Sequence, residues 1–205
     1  ALVVCPSVSA QPSDGQSESV AAQKKAWAHH QAKRYEEAER GYREAIALWE
    51  ENDQALNNLA WMLLTADDVS LRRPEEAVAL AKRAVALSPA GAGHLDTLAT
   101  AHDALGRHLE AARLELRALE LDPRAVFGDS LASFARRALA RDVERPSSER
   151  AELIVLVVHG RLRAGAKGKA LLPLLAELDK ASALDAPGRF AFSVRAHVLA
   201  GLKRH

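Results

Sequence analysis

The side chains with the widest chemical reach in this 205-residue protein are its eight histidines, and their spacing argues against a site. A zinc centre on a helix needs two imidazoles one turn apart, as in His-x3-His or His-Glu-x-x-His, so that both leave the same face. Neither pattern occurs, and the adjacent His29 and His30 point to different faces. Gly160-Arg-Leu-Arg-Ala-Gly165-Ala-Lys-Gly168-Lys169 has a superficial likeness to a phosphate loop. Its glycine spacing departs from that pattern, and Ala170 stands where a hydroxyl residue would hold magnesium, so it reads as a helix–helix turn. The acidic doublets Glu36-Glu37, Glu50-Glu51 and Glu75-Glu76 fall at helix starts or exposed faces, where they favour the helix dipole. No serine, cysteine or lysine has a base at a recognisable spacing. The expectation is a protein with no catalytic, cofactor-binding or metal-binding residues, and not an enzyme.

What remains is contact chemistry. Asn57, Asn58 and Trp61 lie three or four residues apart and share a helix face, while Leu59 and Leu63 point to the packed side. Such a face needs a rigid support, and a repeat supplies one. Three blocks carry a small residue, then an alanine, then another alanine seven residues on: Ala26, Ala38, Ala45; Ala60, Ala77, Ala84; and Ala99, Ala111, Ala118. The step from Ala77 to Ala111 is 34 residues, and that from Ala38 to Ala77 is 39 because of an insertion around Asp67 to Arg73. Small residues recur where antiparallel helices cross closely, with larger apolar residues such as Tyr35, Tyr42, Leu63 and Leu105 at the flanks. Pro89 and Pro123 close the last two blocks, since proline cannot extend the preceding helix.

The wording of these blocks resembles the tetratricopeptide-repeat (TPR) family: Arg34-Tyr35-Glu36-Glu37-Ala38, Leu56-Asn57-Asn58-Leu59-Ala60-Trp61, Pro74-Glu75-Glu76-Ala77, and Leu95-Asp96-Thr97-Leu98-Ala99 with Gly106-Arg107. A 34-residue helix–turn–helix period is that family's signature. The resemblance covers residues 19–123. It implies an all-α, right-handed superhelix of three repeats, whose concave groove, lined by the first helix of each pair, binds a peptide or a partner's helix. By the repeat register the groove face carries Trp27 in the first block, Asn57, Asn58 and Trp61 in the second, and Asp96, Thr97 and Thr100 in the third. Trp27 and Trp61 occupy matching positions and read either as an aromatic shelf or as packing between repeats. Asn58 matches the family's groove asparagine, which offers a donor and an acceptor to a peptide backbone. Asp96 has a second reading, as a cap or brace at the start of its helix. The basic clamp of chaperone-binding members is missing, with Gly93 and Thr97 in its place, so an acidic chaperone tail is not the expected ligand. His29 and His102 share a repeat position at which core filling is expected.

Composition agrees with a helical body: 48% of residues are apolar and 4% aromatic. The one strand candidate, residues 153–158, reads better as a buried helix. A net charge of +1 conceals a split, with 13 Lys/Arg against 19 Asp/Glu up to residue 123 and 15 against 8 beyond it. The basic end suits an acidic partner or a membrane surface, or merely solvated helix faces. Without a recognition helix, zinc finger or aromatic-basic surface, nucleic acid is not an expected partner.

The chain opens on an apolar run ending in Val8-x-Ala10, the pattern of a signal-peptide tail with cleavage after Ala10. Lipidation at Cys5 is the weaker rival, because Val4 precedes it, and a lone cysteine forms no internal disulfide. Residues 11–18 read as a flexible leader. The expected location is exported, periplasmic or attached to a bacterial envelope, with a cytoplasmic protein as the alternative. After Pro123 the alanine register fails, and residues 124–142 are expected to cap the last repeat. Beyond a linker, residues 148–164, 167–183 and 188–202 read as helices of a basic C-terminal segment, the first two as either a degenerate fourth repeat or part of a separate small bundle. The expected function is a non-enzymatic scaffold that supports a larger assembly; a permanent structural subunit of a membrane-associated complex, or a regulatory part of a larger enzyme, are the alternatives.

Overall fold

A computed structural model describes residues 14–123, 125–141 and 147–165, together with single positions further on. Among the described residues there are eight α-helices and no strand: α1 (Asp14–Gln31), α2 (Tyr35–Leu48), α3 (Asp53–Thr65), α4 (Pro74–Leu87), α5 (Ala92–Ala104), α6 (His108–Leu121), α7 (Ala125–Arg141) and α8 (Ser147–Arg163). They pack as four consecutive hairpins, α1 with α2 through to α7 with α8.

Local chemistry sets the helix ends. The Asn52 side chain accepts the Ala55 backbone N–H at 2.9 Å and so caps α3. Pro74 opens α4, where its missing N–H costs no helical bond. Gly106, with φ of 73°, makes the turn from α5 to α6 that a Cβ would oppose. All nine anchoring alanines are fully buried. They let the paired helices approach closely, and Gly41 in α2 comes nearer still, since a Cβ there would lie 2.9 Å from that of Ala26. Tyr42, Leu56, Leu59 and Leu63 fill one end of the core, and Leu95, Leu119, Leu131 and Leu153 the other. Val85 and Leu114 touch both, so the core is a continuous strip along the stack.

The insertion after α3 forms a short 3-10 turn over Val69–Leu71, anchored by the Arg73 N–H on the Leu63 carbonyl at 3.0 Å. It bulges outward, with Val69 69% exposed, and leaves the alanine crossings in place.

Two sequence expectations change. Residues 14–18 are not a loose leader but the first turns of α1. Ser19 holds that end down by donating to the Ala45 carbonyl at 2.6 Å and accepting from Asn52 Nδ2 at 2.9 Å, all within the buried interior. Residues 1–13, with the signal-peptide pattern, lie outside the described residues. α7 buries Leu131, Phe134, Ala135 and Ala138 as a cap would, yet it is also one arm of a fourth hairpin with α8. That hairpin was hidden because its crossing uses glycines: a Cβ on Gly128 would sit 2.6 Å from the Gly160 carbonyl oxygen. Residues 153–158 are helical and buried on every side, which is why they show no stripe. The helices expected over residues 167–183 and 188–202 lie outside the described residues.

Candidate functional site: the inner wall of first helices

α1 contacts α3, and α3 contacts α5, whereas among the described residues α2, α4 and α6 make no comparable contact with one another. Over the first three hairpins the first helices are therefore the closely spaced side of the stack, and their free faces form one wall, whereas at the fourth hairpin α6 meets α8. On α3 the half-exposed stripe is Asn57, Asn58, Trp61 and Thr65. On α5 it is Asp96, Thr100 and Asp103, while His94, Thr97, Leu98 and Ala101 form the buried stripe one step round the helix.

This places the expected contact residues unevenly. Asn57, Asn58, Trp61, Asp96 and Thr100 share the wall. Trp27 is 41% exposed and packs edge-on against His30, with ring centroids 5.5 Å apart. Among the described residues no ring contact joins Trp27 to Trp61, so the two indoles do not form a stacked shelf. Thr97 is buried, and its hydroxyl donates to the Gly93 carbonyl at 2.9 Å, so it belongs to the packing side and not to the contact face. Asp96 does not cap α5: Gly91 holds that position, and Asp96 lies in the second turn.

The histidines behave as packing groups. His102 is buried, and burial, followed by Arg107 and Lys82, lowers its pKa. Its repeat mate His29 is only half-buried and accepts from Arg34 Nε at 3.1 Å, so core filling describes one of the two. His30, beneath Trp27, is kept neutral by burial and approaches the Tyr42 hydroxyl at 3.4 Å.

No protein-family model and no curated protein matches the sequence. Solved structures do resemble the whole stack. The crystal structure of YrrB, described as a TPR protein with an unusual peptide-binding site, superposes with a TM-score of 0.50 at 15% identity, over 87% of this chain and 92% of that one. Pseudomonas aeruginosa PilF gives a TM-score of 0.51 at 15% identity, over 94% and 93%. The fold is the TPR solenoid.

Within a TPR register, the wall has a polar group that pattern reading missed. Four residues after the second anchoring alanine the first hairpin has Tyr42 and the second Ala81, both buried. The third has Glu115, fully buried on α6, with neither oxygen reached by an N–H or O–H donor of the fold. Its partner is Asp96 on the wall. Burial first, then the charge and hydrogen bond of Asp96, push the Glu115 pKa up to about 9. Two adjacent carboxyls cannot both ionise cheaply, so Glu115 keeps the proton and donates it to Asp96. The sequence signal was available: a charged residue at a repeat position otherwise held by Tyr or Ala. Asn57 Oδ1, on the same wall, is a second buried acceptor without a donor.

Proposed function

We propose that this protein is a non-enzymatic interaction scaffold that binds an extended peptide or a partner's helix along the inner wall of its TPR solenoid. The observation that carries this reading is the wall itself. A stripe of Asn57, Asn58 and Trp61 stands half-exposed on a rigid apolar support, and Asn57 Oδ1 is held without a donor. Burying an acceptor without a partner costs about 1–3 kcal/mol, and a ligand N–H recovers it. Asn58 adds a donor and an acceptor, and Trp61 and Trp27 offer aromatic area of the kind that anchors binding hot spots. The peptide-binding site described for the similarly folded YrrB supports the same use of the fold.

The test is capture of decapeptides from a synthetic random array by the full chain and by an Asn58→Ala, Trp61→Ala double variant. Binding that falls at least about tenfold in the double variant is the expected result. Equal capture by both proteins removes the wall from the function.

We also propose that the scaffold works outside the cytoplasm in support of a larger envelope assembly, on the strength of the Val8-x-Ala10 pattern. Among the described residues no helix is long and apolar enough to cross a membrane. N-terminal sequencing of the protein recovered from cell fractions tests this, and an uncleaved cytosolic product would refute it.

A further inference from the structure

The first hairpin carries a feature that the inner hairpins lack, on a face that α3 does not reach. Between α1 and α2 runs a trough of about 430 Å³, floored by Ala22, Ala26 and Gly41 and lined by no residue of a later helix. In the second and third hairpins the places matching Ala22 and Lys25 hold Leu56, Leu59, Leu95 and Leu98, and the place matching Gly41 holds Leu80 in the second, all buried in the core. A merely solvated end needs charge but no trough. A floor of small residues lets a further helix approach closely, as at the alanine crossings inside the stack. The rims of the trough are charged in opposite senses: α1 supplies Lys25 and no acid, and α2 supplies Glu37 and Glu44 about Arg40. None of these four has an ion-pair partner among the described residues, although the three on α2 stand three and four residues apart. Elsewhere on α2, Glu39 and Arg43 at the same spacing do pair, at 2.8 Å. His29, which also lines the trough, already accepts from Arg34 Nε at 3.1 Å.

We propose that this end face is a docking surface for a second copy of the chain, related to the first by a two-fold axis parallel to the helices. That axis lays α1 of each copy antiparallel on α2 of the other, so that Lys25 faces the Glu37 and Glu44 rim once on each side of the axis. A two-fold axis across the helices sets α1 on α1 and brings Lys25 against Lys25, which charge disfavours. The two cations and two acids of the rims sum to zero, and the whole chain carries only +1, so no long-range repulsion opposes the meeting of two copies. The aliphatic stems of Lys25 and Arg40 fill the trough that alanine and glycine leave. Docking of this kind joins two stacks end to end at their first hairpins. It leaves both inner walls open, so it is independent of what the walls bind.

Sedimentation equilibrium of the full chain, over a wide range of concentrations at low salt and at about 1 M salt, reads the association directly. A reversible dimer that weakens with salt is expected. Lys25→Glu should weaken it at least about tenfold, and so should Glu37→Lys combined with Glu44→Lys, because each variant sets like charges against each other across the axis. An equimolar mixture of the two variants should dimerise again. In a mixed pair the two reversed rims meet each other and the two native rims meet each other, a rescue that only a face docked on itself can give. Lys25 and Glu44 are exposed and Glu37 is half-buried, so the variants should fold, and unchanged helical circular dichroism checks that they do. A monomer at every concentration leaves the trough to water or to a foreign helix and overturns the proposal. A dimer indifferent to both variants, or a mixture no stronger than its components, overturns it as well, since the contact then lies on another face.

Discussion

The first three hairpins and the fourth solve the same packing problem with different residues. In the first three, alanines at fixed spacing set the crossings, and all nine are fully buried. In the fourth, α7 and α8 meet at Gly128 and Gly160, where an added Cβ would lie 2.6 and 2.4 Å from the opposing carbonyl oxygens. The alanine crossings tolerate one methyl group; the glycine crossing tolerates none. Gly128→Val therefore has the largest expected effect of any single change here. Backbone atoms cannot yield as a flexible side chain can, so α7 and α8 must separate, at a cost of about 3 kcal/mol or more. Urea denaturation should show a lower midpoint, while the matched enlargement Ala60→Val, in an alanine crossing, costs about 1–3 kcal/mol. If Ala60→Val proves the more damaging, the glycine crossing is not the tighter of the two.

A second contrast lies between hairpins two and three, where Ala81 and Glu115 occupy the same place. The Glu115 pKa is about 9 in the folded chain, against an ordinary 4.5. Between those values the unfolded chain has lost this proton and the folded chain still holds it. Stability is then fully present below about pH 4.5 and falls as pH rises toward 9, by at most about 1.4 kcal/mol per pH unit. Glu115→Gln should flatten that slope and leave the variant more stable than the parent at pH 8, by about 2 kcal/mol. Thermal melts at pH 5.5, 7 and 8.5 measure it, and parallel pH profiles for the two proteins would disprove the buried proton.

The same contrasts explain what the sequence disclosed. Alanine spacing and the words around Ala60, Ala77 and Ala99 made three hairpins legible, because each methyl position answers to one crossing. Gly128 and Gly160 stayed silent, since a glycine pair 32 residues apart matches no period in the preceding blocks. Along the wall, helical spacing placed Asn57, Asn58, Trp61, Asp96 and Thr100 together. It misplaced Thr97 by one stripe, because a threonine that bonds back to Gly93 can be buried without penalty. Glu115 went unread because a glutamate is ordinarily a solvated face, and only its repeat position marks it as interior. The helical turns over residues 14–18 depend on Ser19 and Asn52, 33 residues apart, a tertiary link that leaves no local pattern.

That link separates the N-terminal hairpin from the others, since α2 and α4 begin without a side-chain cap while α3 is capped by Asn52. Asn52→Ala removes the cap and leaves Ser19 without its donor, at an expected cost of about 1–2 kcal/mol. Hydrogen exchange should show the loss concentrated at the start of α1 and the first turn of α3. Uniform loss across the stack would mean that Asn52 serves the whole core.

The smallest effect concerns ion pairs that follow the repeat step. Lys33 with Asp67 and Asp103 with Arg137 are each 34 residues apart and join matching positions of adjacent hairpins. The second pair shows that the period continues from α5 into α7 after the alanine pattern has stopped. Arg137 binds Asp103 through two nitrogens, at 2.8 and 2.9 Å, and lies over the Phe134 ring, whereas Lys33 and Asp67 are largely exposed. Exposed pairs are worth about 0–1 kcal/mol, and a bidentate arginine sits at the upper end of that range. A double-mutant cycle on Asp103 and Arg137 should therefore give a coupling of about 0.5–1 kcal/mol, and one on Lys33 and Asp67 a coupling close to zero. Raising salt to about 1 M should leave most of the Asp103–Arg137 coupling in place, because the partly buried Asp103 is less open to screening. Equal couplings in the two cycles would show that the arginine fork adds nothing at the junction with the fourth hairpin.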